Sequence, residues 1–502
     1  MYWGRSFASK LTGKHKVSTG ISPSGYIHFG NVREVMTGDI IHKSIQMEGM
    51  ESSFIYLCDD IDPLRKVYPF LPESYEKHVG KPLRNIPAPE GNLSYSEFFI
   101  QPFIETMKKL NISPEIIRTG ELYRDGKLGD LIEESIKKKD QIRQILEQFS
   151  GRELENDWYP YNPRCSQCGR INSAKATGFS NGKVSYQCTC GFNGESDIYK
   201  DEGKLPWRIE WPAKWKILGV TVEPFGKDHG TQGGSYDTGK AISETVFNYP
   251  APAPMMFERI LLKGKGAMHS STGINIPASE MLKFSPPEII RYVIARVPPT
   301  RYIDFDPGSG FLNLVDEYER LHRLKKEGKL DEDKSTILEI CETGRDQEQI
   351  PDFRHLTTLV QIYSDDKRVS EIISSDGKTY SPDILHERIE MARDWIKNHA
   401  PEDSKFRILG IKEKTNLTEE QRKVICELHR VLDSKTEWTP ESIHESSRVA
   451  IESSGLEPSA GFVAIYMTII GKERGPRLGY FLAGMDRNTV LSRLEFICGD
   501  SP

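Results

Sequence analysis

The segment His15-Lys16-Val17-Ser18-Thr19-Gly20-Ile21-Ser22-Pro23-Ser24-Gly25-Tyr26-Ile27-His28-Phe29-Gly30-Asn31 decides the fold. The strand-like run His15 to Thr19 enters a Gly/Ser/Pro turn, and a helix is expected from about Val32. A second apolar run, Phe54-Ile55-Tyr56-Leu57-Cys58, then completes a βαβ unit. Doubly wound sheets bind ligands beyond the carboxyl ends of their strands, which is where both the first turn and Asp59-Asp60-Ile61-Asp62-Pro63 fall. Backbone N–H groups at a helix start attract an anion, and His28 and Asn31 can donate to phosphate oxygens. Gly30 leaves room for a flat ring against the backbone. A plain glycine turn, with the histidine satisfied inside the fold, explains the same spacing.

Working outward, 502 residues exceed one hydrophobic core, so about two to four domains are expected. With 37% apolar and 28% charged residues and no long apolar run, no membrane span is expected. Met1-Tyr2-Trp3-Gly4-Arg5 lacks the apolar core of a secretory signal, so a cytoplasmic protein is expected. A net charge of −6 argues against indiscriminate nucleic-acid binding while leaving room for a local basic face.

From about Pro63 to Gly203 the pattern is irregular, with prolines from Lys81 to Pro89 and a long charged helix near Leu128 to Phe149. Sheet-like runs resume at Trp215 to Val222 and at Glu258 to Leu262, and these are expected to complete a parallel sheet. Ser285-Pro286-Pro287-Glu288 is a capping box opening a helix that stops at Pro298-Pro299. Beyond about residue 310 the pattern is helical: Leu385, Ile389, Ala392 and Ile396 share one face, and Thr418 to Gln421 caps a helix carrying Val424, Leu428 and Leu432. The fold class is therefore α/β, a Rossmann-like parallel sheet (1–62 and 204–300) interrupted by an insertion (63–203). A connecting stem (301–330) and an all-α bundle (331–502) follow.

Two further motifs carry chemistry. The run Leu262-Lys263-Gly264-Lys265-Gly266-Ala267-Met268-His269-Ser270-Ser271-Thr272-Gly273 is a loop by composition, whose basic and hydroxyl groups can close over a triphosphate; a solvated Gly/Lys loop is the plainer reading. Cys165-Ser166-Gln167-Cys168-Gly169 and Cys188-Thr189-Cys190-Gly191 have the spacing of a zinc ribbon or knuckle, so a structural Zn2+ is expected on Cys165, Cys168, Cys188 and Cys190. Tyr95-Ser96-Glu97-Phe98-Phe99 offers neither Cys nor His, so one metal site is expected.

Taken together, the chain resembles the archaeal-type class I lysyl-tRNA synthetases from the first strand to the C-terminus. The resemblance rests on Gly20 to Asn31, Asp59 to Lys66, Lys204-Leu205-Pro206-Trp207-Arg208, Trp211-Pro212-Ala213-Lys214-Trp215, Glu223-Pro224-Phe225-Gly226-Lys227-Asp228-His229 and Gly233 to Lys240. It implies an enzyme that joins lysine to ATP, with Mg2+, and passes lysine from the adenylate to tRNA(Lys). His28, Asn31, Ser270 and Ser271 would then be catalytic. Pro23, Gly25, His28, Gly30, Asn31, Asp228 and Met268 would hold ATP. Gly20, Ser22, Asp60, Trp211 and His229 would hold lysine, with Asp62 and Glu210 as other acceptors for its ammonium and Trp207 as other packing for its stem. The helical domain would bind the anticodon, with Arg474 and Arg477 on tRNA; an ordinary helix–turn–helix explains that motif equally. A monomer is expected.

The chain departs from the family loop Lys-Met-Ser-Ser-Ser-Lys-Gly at both lysines, replaced by Ala267 and Thr272. Either Lys263, Lys265 or protonated His269 takes over their electrostatic role, or the chain is a non-catalytic paralogue that binds tRNA. A glutamyl-type synthetase is the nearest enzymatic alternative.

Overall fold

The computed structural model describes residues 1–151, 153–264, 266–267, 276–345, 350–374 and 379–499. Its centre is a five-stranded sheet. The strands are β1 (His15–Ile21), β2 (Ser52–Cys58), β3 (Glu115–Arg118), β4 (Val222–Gly226) and β5 (Ala253–Phe257). Their order is β5-β4-β1-β2-β3 and every neighbouring pair is parallel. The order reverses direction at β1, so the crevice between the carboxyl ends of β1 and β4 is the switch point. Gly20 is required there: a Cβ would lie 2.6 Å from the Leu57 carbonyl oxygen of β2.

The chain falls into two compact units. Met1–Leu282, Pro287–Phe305 and Leu324–Thr343 make the first; Lys283–Pro286, Asp306–Arg323 and Gly344–Pro502 make the second. Helix Glu332–Cys341, within the span 331–502 read as helical bundle, packs in the first unit. The cause is the fully buried Arg291, which donates to Leu110 O (2.8 Å), Ile340 O and Asp39 Oδ2 (2.6 Å). The sheet also recruits β3 from inside the span 63–203.

Several elements differ from the sequence reading. The helix that follows β1, α1, starts at Phe29 rather than Val32 (Phe29–Met47). Most of Trp215 to Val222 is not strand: Trp207–Leu218 is a helix, α2, ended by Gly219 in the left-handed region (φ 69°). Trp207, Trp211 and Trp215 recur every fourth residue, the period of one helix face. Glu258 to Leu262 does not complete the parallel sheet, a place taken by β5; Ile260–Leu262 forms a separate three-stranded sheet with Gly266–Ala267 and Ile303–Phe305. The charged helix near 128–149 is two helices, Gly129–Lys137 and Lys139–Ser150, broken at Lys138. The helix opened at Pro287 ends at Ala295, short of the prolines.

The cysteine segment forms its own antiparallel sheet of Ala174–Ser180, Lys183–Cys188 and Asn193–Asp197. In the second unit, Val424, Leu428, Leu432, Ile443, Ile465, Phe481 and Leu494 share one core. Thr418 caps Glu419–Asp433 through a reciprocal capping box with Gln421. A disulfide joins Cys426 to Cys498. No helix among the described residues is long and apolar enough to cross a membrane.

Candidate active site at the switch point

The turn after β1 delivers His28 as the N-cap of α1. Its backbone N–H donates to Asn31 Oδ1 (3.2 Å), so Asn31 braces the helix start. The open space expected at Gly30 is occupied: a Cβ there would lie 2.8 Å from two atoms of the His28 imidazole. The absence of a side chain at Gly30 thus leaves room for the histidine ring. Phe29 N donates to Ile276 O (2.8 Å) and Ala278 N to Ile27 O (2.9 Å), with His28 bridged to Pro277. The downstream end of the Gly/Lys loop is therefore stitched to the first motif. Met268, Ser270 and Ser271 lie outside the described residues, as do Lys265, His269 and Thr272. Pro23 and Gly25 are buried in the turn, where Gly25 faces Phe70 (2.9 Å to a built Cβ) and Tyr95 Oη donates to Ser24 O (2.7 Å).

One turn further on, Arg33 donates to the carbonyls of Arg259, Pro299 and Arg301 (3.3, 3.2 and 2.8 Å). It ties α1 to the base of the hairpin that carries the loop. Sequence reasoning missed this residue, because an arginine in an apolar helix reads as a surface position.

The acids proposed for a lysine ammonium are already engaged. Lys204, 3% exposed, pairs with Asp62 and with Glu210 (3.2 Å), and the Ser22 side chain also bonds Asp62. Lys214 pairs with Asp59 (2.6 Å) and Glu210 (3.6 Å), and Tyr123 Oη donates to Glu210 (2.6 Å). Burial pulls Lys214 down, but Asp59 and Glu210 outweigh it and hold its ammonium up at about 12. Asp60 accepts from Gly120 N (2.7 Å) and faces Arg84 at 3.9 Å; burial nonetheless pushes it up to about 6.

Two other acids stand differently. Glu223, on β4, accepts from Trp211 Nε1 (2.6 Å) and Trp215 Nε1 (2.5 Å). Glu34, on α1, accepts from Gly20 N (3.0 Å). Among the described residues neither forms an ion pair, and burial pushes Glu223 up to about 7 and Glu34 up to about 8, with each other's charge contributing to Glu34. Both were missed in the sequence, where each is a lone acid in an apolar run. They bring Gly20, Trp211 and the edge of β4 together. Trp207 stacks on Trp211 (5.6 Å, 19°), and His229 packs against both rings at 5.5 and 6.0 Å. Burial lowers His229, keeping its imidazole neutral. Asp228, exposed at the same edge, faces Arg259 at 3.7 Å.

The four cysteines lie apart from this crevice. Their sulfurs fall within 4.8 Å of one another, with Cys165–Cys190 at 3.7 Å and Cys168–Cys188 at 3.6 Å. A tetrahedral zinc with bonds of about 2.3 Å needs sulfur–sulfur edges of about 3.8 Å, so the set fits a metal ion. Arg474 and Arg477 are exposed and line a cavity of the second unit.

Comparison with known proteins agrees over the whole chain. Residues 2–344 match the family described as tRNA synthetases class I (K), and residues 357–498 match an anticodon binding domain. A lysine–tRNA ligase of Thermoplasma volcanium is 47% identical over 501 residues, covering 99% of both chains. That of Picrophilus torridus is 47% identical over 507 residues and covers 100% of each. That of Methanosarcina barkeri is 41% identical over 522 residues, covering 98% of this chain and 96% of the relative. With a parallel-sheet unit built around the first motif and, later in the sequence, a helical unit that matches an anticodon binding domain, the chain belongs to the class I (K) family of tRNA synthetases.

Proposed function

We propose that the protein activates lysine with ATP and esterifies it to tRNA(Lys). The observation that carries the amino-acid assignment is the Glu34–Glu223 pair: two desolvated carboxyls at the switch point, neither forming an ion pair among the described residues. A glutamate side chain would be repelled there, whereas an ammonium supplies the missing counter-charge. Trp211 and Trp207 cover its methylene stem, and Gly20 and Ser22 face its backbone end.

In this reading the lysine carboxylate attacks the α-phosphorus of ATP and pyrophosphate leaves. A ribose hydroxyl of the tRNA terminus then attacks the acyl carbon and AMP leaves. The helix start at Phe29, with His28 and Asn31, holds phosphate oxygens; Asp228 accepts from the nucleotide ribose; Pro23 and Gly25 shape the turn. Mg2+ neutralises charge on the triphosphate when bound. Ser270, Ser271 and Met268 contribute from the loop, whose lost lysines place more of the phosphate contact on His28 and Asn31. Cys165, Cys168, Cys188 and Cys190 hold a structural zinc, and the helical unit takes the anticodon arm, with Arg474 and Arg477 on its phosphates. Lysine-dependent ATP–pyrophosphate exchange tests the reading. Robust exchange with lysine and none with glutamate is expected; absence of exchange with every amino acid would leave a non-catalytic tRNA-binding paralogue.

A further inference from the structure

Beneath the turn that follows β2, five charged side chains alternate in sign, none with more than 14% of its side chain exposed. Lys204 pairs with Asp62 and with Glu210 (3.2 Å), Glu210 pairs with Lys214 (3.6 Å), and Lys214 pairs with Asp59 (2.6 Å). Asp59 and Asp62 belong to one turn, so the chain of pairs closes into a ring. Neutral donors complete it: Thr119 Oγ1 donates to Asp59 (2.6 Å) and Tyr123 Oη to Glu210 (2.6 Å), while Leu205 N, next to Lys204, donates to the same Tyr123 Oη (3.0 Å). Burial works against the Lys204 ammonium, but Asp62, Glu210 and Asp59 outweigh it and hold it charged.

The ring joins three separate pieces of chain. Asp59 and Asp62 stand at the carboxyl end of β2, Glu210 and Lys214 are one turn apart on α2, and Lys204 comes from the strand pair that closes the cysteine segment. Lys214 bridges turn and helix from within α2, whereas Lys204 bridges them from outside both. On the adjoining stripe of α2, Trp211 and Trp215 donate to Glu223 of β4 at 2.6 and 2.5 Å. Apolar packing is non-directional and would let α2 slide over the sheet; charged groups met at fixed points on two sides remove that freedom.

We propose that Lys204 is a positioning residue for the amino-acid substrate: anchored to Asp62, it holds Glu210, and with it α2, in the register at which Trp211 and Trp215 present Glu223 to the substrate ammonium. Lys204 acts through the helix and not by touching substrate. The assignment rests on the lysine-activating reading of the Glu34–Glu223 crevice, and it adds that a residue at the neck of the cysteine segment sets the affinity for the amino acid.

The test is binding of free lysine to the full chain, followed by tryptophan fluorescence, with ATP binding measured on the same preparations by calorimetry. Lys204→Met is expected to weaken Kd for lysine by about tenfold or more and to leave Kd for ATP within about twofold of the parent. In a Glu223→Gln background the same substitution is expected to cost no more than about twofold, because the group it places is already gone. Removing one member of a buried pair also destabilises the fold, so Lys204→Met is repeated together with Asp62→Asn, which takes out both charges. The lysine penalty is expected to persist in that double variant while its urea denaturation returns toward the parent. A penalty of equal size with and without Glu223, its disappearance in the double variant, or an equal loss of ATP affinity would show a merely structural role and overturn the assignment. A parent protein that binds ATP but responds to lysine neither by fluorescence nor in pyrophosphate exchange would instead overturn the lysine-activating reading, and this assignment with it.

Discussion

Glu223 and Glu34 face the same crevice from strand and helix, and their raised pKa values set a pH dependence. Entry of an ammonium favours ionisation of both, so lysine binding releases protons. Lysine affinity is expected to rise by about tenfold between pH 6 and pH 8, measured by calorimetry in two buffers of different ionisation enthalpy. Glu223→Gln should flatten that slope and raise the KM for lysine by about tenfold or more. The same variant has an opposite effect on folding. A folded-state acidity near 7, above the ordinary 4.5, means that the carboxyl contributes stability in full below 4.5 and loses it as pH rises through 7. In the absence of lysine, Glu223→Gln should therefore be as stable as the parent or more so at pH 8, by urea denaturation. Gly30→Ala presents a similar conflict. Alanine favours the helix by about 0.5–1 kcal/mol, but its Cβ meets the His28 ring at 2.8 Å. The imidazole must turn, and the KM for ATP is expected to rise by about tenfold while thermal stability changes little.

At the scale of elements, the turn from Gly20 to Asn31 was legible because glycine and proline punctuate it and an apolar strand and helix flank it. The cysteine module was legible for an equally local reason, its two close pairs. The Trp207–Trp215 helix was not: residues with high strand preference lie at helical spacing, and only packing against the sheet and against Tyr236 decides between the two. Strand β5 was hidden by Pro254 and two methionines, which suit an edge strand yet give no alternating pattern. The acids of the pocket were unreadable because a pattern of residue types does not reveal which carboxylates will acquire a lysine. Asp62 and Glu210 did, through Lys204; Glu34 and Glu223 did not. For the helical unit, Arg474→Ala with Arg477→Ala is expected to raise the KM for tRNA by about tenfold, with the effect growing as salt is lowered.

At the scale of the molecule, the first unit gathers distant segments around one guanidinium. Arg291→Met leaves Asp39 buried with Lys43, at 3.1 Å, as its one ion-pair partner among the described residues, and removes three backbone contacts. A loss of about 3–5 kcal/mol is expected in the unfolding of that unit, followed by urea titration with tryptophan fluorescence. All but two of the seven tryptophans of the chain, Trp395 and Trp438, belong to the first unit, so the signal reports mainly on it.

The cysteine module has one more property, visible in how the chain enters and leaves it. Asn162–Pro163 pairs antiparallel with Gly203–Lys204, so the intervening residues 164–202 form a loop closed at its own neck. Within that neck Lys204 turns inward to Asp62. The exchangeable cassette is therefore the stretch from 163 to 203, not the whole span from 63. It can be swapped between relatives as a unit wherever the neck and the Ile171, Val184 and Ile198 contacts are kept. A cut placed at residue 63 would take an edge strand out of the catalytic sheet.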